Sequence, residues 1–125
     1  MALREFATVE TRAGLMLYAQ EFALLLLGMA LALYVDNLAV RSLGSVLAGF
    51  KIGSLYTLSH DASHYSLVRP RWLNKLPGTL GFMPALLNYR LWQCDHIVKH
   101  HPNTNGPQKD IHRPMSLEEY RQAPA

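Results

Sequence analysis

Two long apolar stretches joined by one polar dipeptide restrict this chain more than any other feature. Leu15 to Val35 reads LMLYAQEFALLLLGMALALYV, interrupted only by Gln20 and Glu21. As a helix rising about 1.5 Å per residue it covers roughly the 30 Å of a bilayer's hydrocarbon core. Asp36-Asn37 supplies a turn, and Leu38 to Leu58 forms a second apolar stretch with Gly44, Ala48, Gly49 and Gly53 at near-helical spacing. Small residues let a neighbouring backbone approach closely, so residues 15–35 and 38–58 are expected to form a transmembrane helical hairpin. A cleaved signal peptide is disfavoured, because no short basic region opens the chain and no small-residue cleavage site leads into a soluble domain.

Half of the 125 residues are hydrophobic, yet all six histidines, the prolines and most basic residues fall from His60 onward. A single domain is expected, with a flank at 1–14, the hairpin, and a polar region at 59–125 on one membrane face. The net charge of +3 does not imply nucleic acid, because the basic residues flank apolar segments instead of forming a stripe with stacking aromatics. Arg4 and Arg12 precede the first span, Arg41 lies near the turn, and Arg69, Arg71, Lys75, Arg90, Lys99, Lys109, Arg113 and Arg121 follow the second. The positive-inside bias therefore puts both ends of the hairpin in the cytoplasm. Lys51, inside the second span, is expected to snorkel toward headgroups. The lone Cys94 has no internal disulfide partner and reads as a small packing residue.

Trp72 to Trp92 is apolar but broken by Lys75, Pro77, Gly78, Gly81 and Pro84, a pattern that lies in an interface better than it spans. Trp72, Tyr89 and Trp92 suit the headgroup level. A short helix is expected from Ser116, whose side chain can cap the turn carrying Glu118 and Glu119. The fold class is thus an all-α membrane protein: a two-helix transmembrane hairpin, then interfacial and short cytoplasmic helices.

Five histidines concentrate the chemistry. His60 and His64, in HDASH, stand four residues apart and project from one face of a helix continuing from the second span, where they can close on one metal ion. His96, His100 and His101, in HIVKHH, repeat that spacing and add a neighbour turned roughly 100° around an α-helix, an arrangement suited to two adjacent metals. Imidazole serves iron, zinc, copper and nickel alike, so histidines alone do not choose the metal. His112, beside Arg113 and Pro114, reads as solvated. Asp61 is a candidate to hold a ligand imidazole in one tautomer, or an ordinary surface aspartate; Asp95 and Asp110 carry the same two readings.

HDASHYSLVRPRWLNKLPGTLGF resembles the first histidine box of the membrane fatty acid desaturases and the segment after it. HIVKHHPNTNGPQKD resembles their second box, with the following T-N and Asp. The resemblance runs from about His60 to Asp110. It implies a di-iron centre at the cytoplasmic membrane face that activates dioxygen with electrons from a reductase through a small carrier. It also implies oxidation of an acyl C–H bond of a membrane lipid, with His60, His64, His96, His100 and His101 as iron ligands.

The family also has two further spans and a third box of H-x-x-H-H type, absent from residues 1–125. Residues 1–125 alone are therefore expected to be inactive, with a complementary segment or a second copy completing the centre. A related lipid, carotenoid or alkane hydroxylase is the alternative enzyme, and a non-catalytic metal-binding membrane remnant the alternative without turnover. A soluble zinc module would not need so much apolar sequence before its ligands.

Overall fold

The computed structural model describes residues 8–104, 106, 110 and 113–123. Every regular element among them is helical: α1 (Thr11–Tyr34), α2 (Leu38–Ser63), α3 (Lys75–Phe82), α4 (Tyr89–Gln93), a π-helix (Cys94–His100) and α5 (Leu117–Gln122). Short 3-10 turns occupy Arg71–Asn74, Met83–Ala85 and His101–Asn103. The chain divides into two units, the first ending at Tyr89 and the second beginning at Arg90.

In the first unit α1 and α2 pair antiparallel, and both are long and apolar enough to cross a membrane. The turn between them is built from two local bonds. The Val40 N–H donates to Asn37 Oδ1 at 3.1 Å, which caps α2 in the manner expected of Asn. The Arg41 Nε donates to the Ala32 carbonyl at 3.1 Å and so satisfies one of the acceptors that α1 leaves open at its end.

Close approach depends on two of the glycines. A Cβ on Gly28 would lie 2.8 Å from the Ala48 nitrogen, and one on Gly44 would lie 2.8 Å from the Gly28 carbonyl oxygen. Gly49 and Gly53 face open space instead, so only part of the small-residue stripe is helix contact. Lys51 also differs from its expected snorkelling. Its Nζ lies 2.9 Å from Glu21 Oε2, with both side chains mostly covered, because an ion pair within reach offsets the desolvation that snorkelling would relieve.

The core of this unit gathers at the far end of α2, where Leu58, Ala62, Leu67 and Val68 pack with Tyr18 and Leu73. Asn74, fully buried, folds the intervening loop: its Oδ1 accepts from the Val68 N–H at 3.0 Å, and its Nδ2 donates to the carbonyls of Val68 and Arg71. The start of α1 is tied to the same loop, where the Arg69 N–H donates to Thr11 Oγ1 at 2.9 Å. Helix α3 lies against α2, with Gly81 over Ser59 and the Ser59 hydroxyl donating to the Pro77 carbonyl at 3.4 Å.

Of the aromatics expected at headgroup level, Trp72 is exposed and Tyr89 is buried. It is buried over Gly78 and Phe82, and its hydroxyl donates to the Ala62 carbonyl at 3.1 Å. An inward polar acceptor satisfies the phenol as well as headgroups would.

In the second unit α5 begins at the expected place. The Glu119 N–H donates to Ser116 Oγ, and the Ser116 N–H donates to Glu119 Oε2 at 2.8 Å, a reciprocal capping box. Cys94, the first residue of the π-helix, is exposed instead of packing into a core as expected.

Candidate metal centre

The last turn of α2 carries the first histidine pair. His60 lies within the helix and His64 caps it, and their ring centroids are 4.7 Å apart, as four-residue spacing on one α-helical face requires. Tyr65 and Ser66 pin the helix end. Tyr65 adopts φ 57°, its N–H donates to the Ala62 carbonyl, and the Ser66 N–H donates to the Asp61 carbonyl, both at 3.0 Å. This is the Schellman pattern with tyrosine at the position that glycine usually fills. The Ser66 hydroxyl adds a bond to the same Asp61 carbonyl at 2.8 Å. Asp61 Oδ1 lies 3.3 Å from His60 Nδ1, a long contact between partly exposed groups.

The second group is built on different winding. The His101 N–H donates to the His96 carbonyl, an i→i+5 bond, and Cys94–His100 is a π-helix where α-helical winding was expected. The wider turn brings residue i+5 back toward the face of residue i, so His100 and His101 both lie beside His96. Their ring centroids are 5.2 Å and 4.7 Å from that of His96, and His101 Nε2 is 3.2 Å from His96 Nε2. Two nitrogens each about 2.1 Å from one first-row ion stand roughly 3.0 to 3.4 Å apart at octahedral to tetrahedral angles. The separation of His96 and His101 thus fits two ligands of one ion, where the α-helical expectation had turned His101 toward a second.

Trp92 and Asp110 touch this group, and Asp95 pairs beside it. The Trp92 indole stacks on the His96 ring, with centroids 4.3 Å apart and planes at 23°. Asp95 pairs with Lys99 at 3.0 Å, and its carboxylate holds the Lys99 ammonium above its ordinary range; of the two readings open for Asp95, the helix-surface one describes this contact. Asp110 is placed differently. Its side chain is fully buried, and its Oδ1 lies 2.6 Å from His100 Nδ1. Sequence spacing marked Trp92 only as an interfacial residue and left Asp110 undecided; the run of polar residues ending in an aspartate after HH was the available signal. His112 lies outside the described residues.

Comparison with known proteins bears on residues 36–124, which match the family model described as "Fatty acid desaturase". The chain is 30% identical over 82 residues to the sn-1 oleoyl-lipid 12-desaturase of Picosynechococcus sp., covering 66% of this chain and 22% of that protein. It is 31% identical over 80 residues to the sn-1 acyl-lipid omega-3 desaturase (ferredoxin) of Nostoc sp., covering 63% and 22% respectively. It is 30% identical over 80 residues to the chloroplastic omega-6 fatty acid desaturase of Glycine max, covering 63% and 19%. The chain therefore spans about a fifth of the length of the curated relatives it matches. No solved structure matches it.

Proposed function

We infer the function from one premise: the chain belongs to the fatty acid desaturase family. Its role is accordingly desaturase-like and concerns lipids. The finer reading is an oxidoreductase that removes hydrogen from an acyl C–H position of a membrane lipid, in a centre facing the cytoplasm. His60, His64, His96, His100 and His101 hold two non-haem irons in this reading. Bound iron supplies the activation of dioxygen.

The observation that carries the reading is the 3.2 Å separation of His96 Nε2 and His101 Nε2, a ligand spacing produced by the π-helix. The chain's own residues do the holding. The Schellman end of α2 fixes where His60 and His64 stop, and the Trp92 ring fixes the plane of His96. Helices α1 and α2 anchor the first pair to the bilayer. Electrons come from a small carrier and its reductase; the Nostoc relative is named for ferredoxin, and a carrier of that kind is the proposed donor here. Five imidazoles leave two irons short of a full set of protein ligands, so a further segment or a second copy completes them.

Metal analysis of the chain purified in detergent tests the assignment. Replacing any one of His60, His64, His96, His100 and His101 with Ala should lower iron content, while His112→Ala should leave it nearly unchanged. Undiminished iron in both His96→Ala and His100→Ala would remove the basis for the second group as ligands.

A further inference from the structure

A buried carboxylate is costly unless something polar meets it, and Asp110 is buried completely while sitting 2.6 Å from a ring nitrogen of His100. The distance belongs to the short, charge-assisted class of hydrogen bond. An ionised carboxylate can only accept, so with Asp110 ionised the proton between the two groups rests on His100 Nδ1. In the neutral imidazole that placement leaves the lone pair on Nε2, the nitrogen then available to a metal.

We propose that Asp110 is a positioning residue that sets the tautomer and ring orientation of His100, so that His100 offers Nε2 and never Nδ1 to a metal ion. The proposal rests on the reading of His100 as a ligand. It assigns a different standing to Asp61, whose contact to His60 is longer and whose carboxylate is about half exposed, at 48%. Exposure lets water compete for that carboxylate, so Asp61 exerts little hold on its histidine. Asp110 has no such competition. The loop that brings it in is short-range: the Asp110 N–H donates to the Gly106 carbonyl at 3.2 Å, and the Gly106 N–H donates to the Asn103 carbonyl at 2.7 Å. Asn103 in turn donates from Nδ2 to the Lys99 carbonyl at 2.7 Å, so the chain returns to the turn of helix that carries His100.

The test separates tautomer from metal. The chain, labelled with 15N-histidine and held in detergent micelles, is examined metal-free by long-range 1H–15N NMR at a pH above the imidazole range, with His100 assigned by its loss in His100→Gln. The wild type should show His100 as the Nδ1–H tautomer, and Asp110→Ala should lose that preference. Asp110→Asn keeps an oxygen acceptor and should retain much of it. Zn2+ titration then reads affinity, which should fall about 10- to 100-fold in Asp110→Ala and less in Asp110→Asn. A wild-type His100 protonated on Nε2 overturns the proposal without recourse to any variant. So does an Asp110→Ala protein with unchanged tautomer or unchanged affinity. Failure of the wild type to bind Zn2+ with the Nδ1–H tautomer intact would instead strike the ligand reading while leaving the Asp110–His100 link standing.

Discussion

Lys51 Nζ lies 2.9 Å from Glu21 Oε2, joining the middle of α2 to the middle of α1 by a pair whose side chains are 20% and 11% exposed. Removing one partner leaves the other charge buried and unpaired. Lys51→Met alone or Glu21→Leu alone should therefore lower stability by about 3 to 5 kcal/mol, whereas the double variant should recover most of the loss. Unfolding of the purified chain in mixed micelles is the measurement, and equal losses in single and double variants would deny the coupling.

Gly28 and Gly44 meet backbone of the opposite helix, whereas Gly49 and Gly53 meet nothing within 4 Å. Leucine at Gly28 or Gly44 should push α1 from α2 and lower stability by about 1 to 3 kcal/mol. Leucine at Gly49 or Gly53 should be tolerated by the isolated hairpin. The same unfolding assay compares the four variants directly.

Asn74 holds three bonds in a fully buried place. Asn74→Ala should strand both the N–H and the carbonyl of Val68 and lower stability by about 2 to 4 kcal/mol. Asn74→Asp removes the Nδ2 donor and should also be destabilising. Hydrogen exchange at the Val68 amide, slow in the wild type, should become fast in Asn74→Ala.

Glu119 receives hydrogen bonds from the Arg113 guanidinium first, and then from the Ser116 backbone and hydroxyl, and together these pull its carboxyl from 4.5 down to about 2. A depressed folded-state value means that the Arg113 pair, and with it the capping box, contributes fully above about 4.5 and is lost as pH falls toward about 2. Carboxyl 13C NMR should find Glu119 titrating well below 4.5, at about 2. Arg113→Ala should move it back up.

Cys94 is exposed and stands two positions before His96. With the basic residues held inside, a membrane-impermeant thiol reagent should label Cys94 in sealed inverted vesicles. Labelling confined to the outer face of intact cells would reverse the proposed orientation.

The hairpin was legible because its evidence is local: length, apolar content and an Asn placed to cap α2. The closeness of His60 to His64 was legible for the same reason, since α2 runs unbroken to Ser63 and His64 caps it. The Lys51–Glu21 pair was not, because it joins residues 30 apart and depends on the register set where Gly28 meets Gly44. Tyr89 deceived because a phenol suits a headgroup layer and a core with a carbonyl acceptor equally well. The π-helix has no spacing signature in CDHIVKH, and Asp110 reaches His100 only through a loop whose path the residues between them do not announce.

A π-turn amounts to an α-helix that has taken in one extra residue without losing its direction. On α winding, a histidine is flanked by the residues three and four beyond it; across Cys94–His100 those flanking places pass to the residues four and five beyond. The string H-x-x-x-H-H here accordingly displays what H-x-x-H-H displays on an ordinary helix. Counting letters between histidines is then a poor guide to whether two boxes differ in shape. Deleting Val98 would shorten the string yet allow the winding to revert, so a one-residue gap in an alignment at this point can mark preserved geometry.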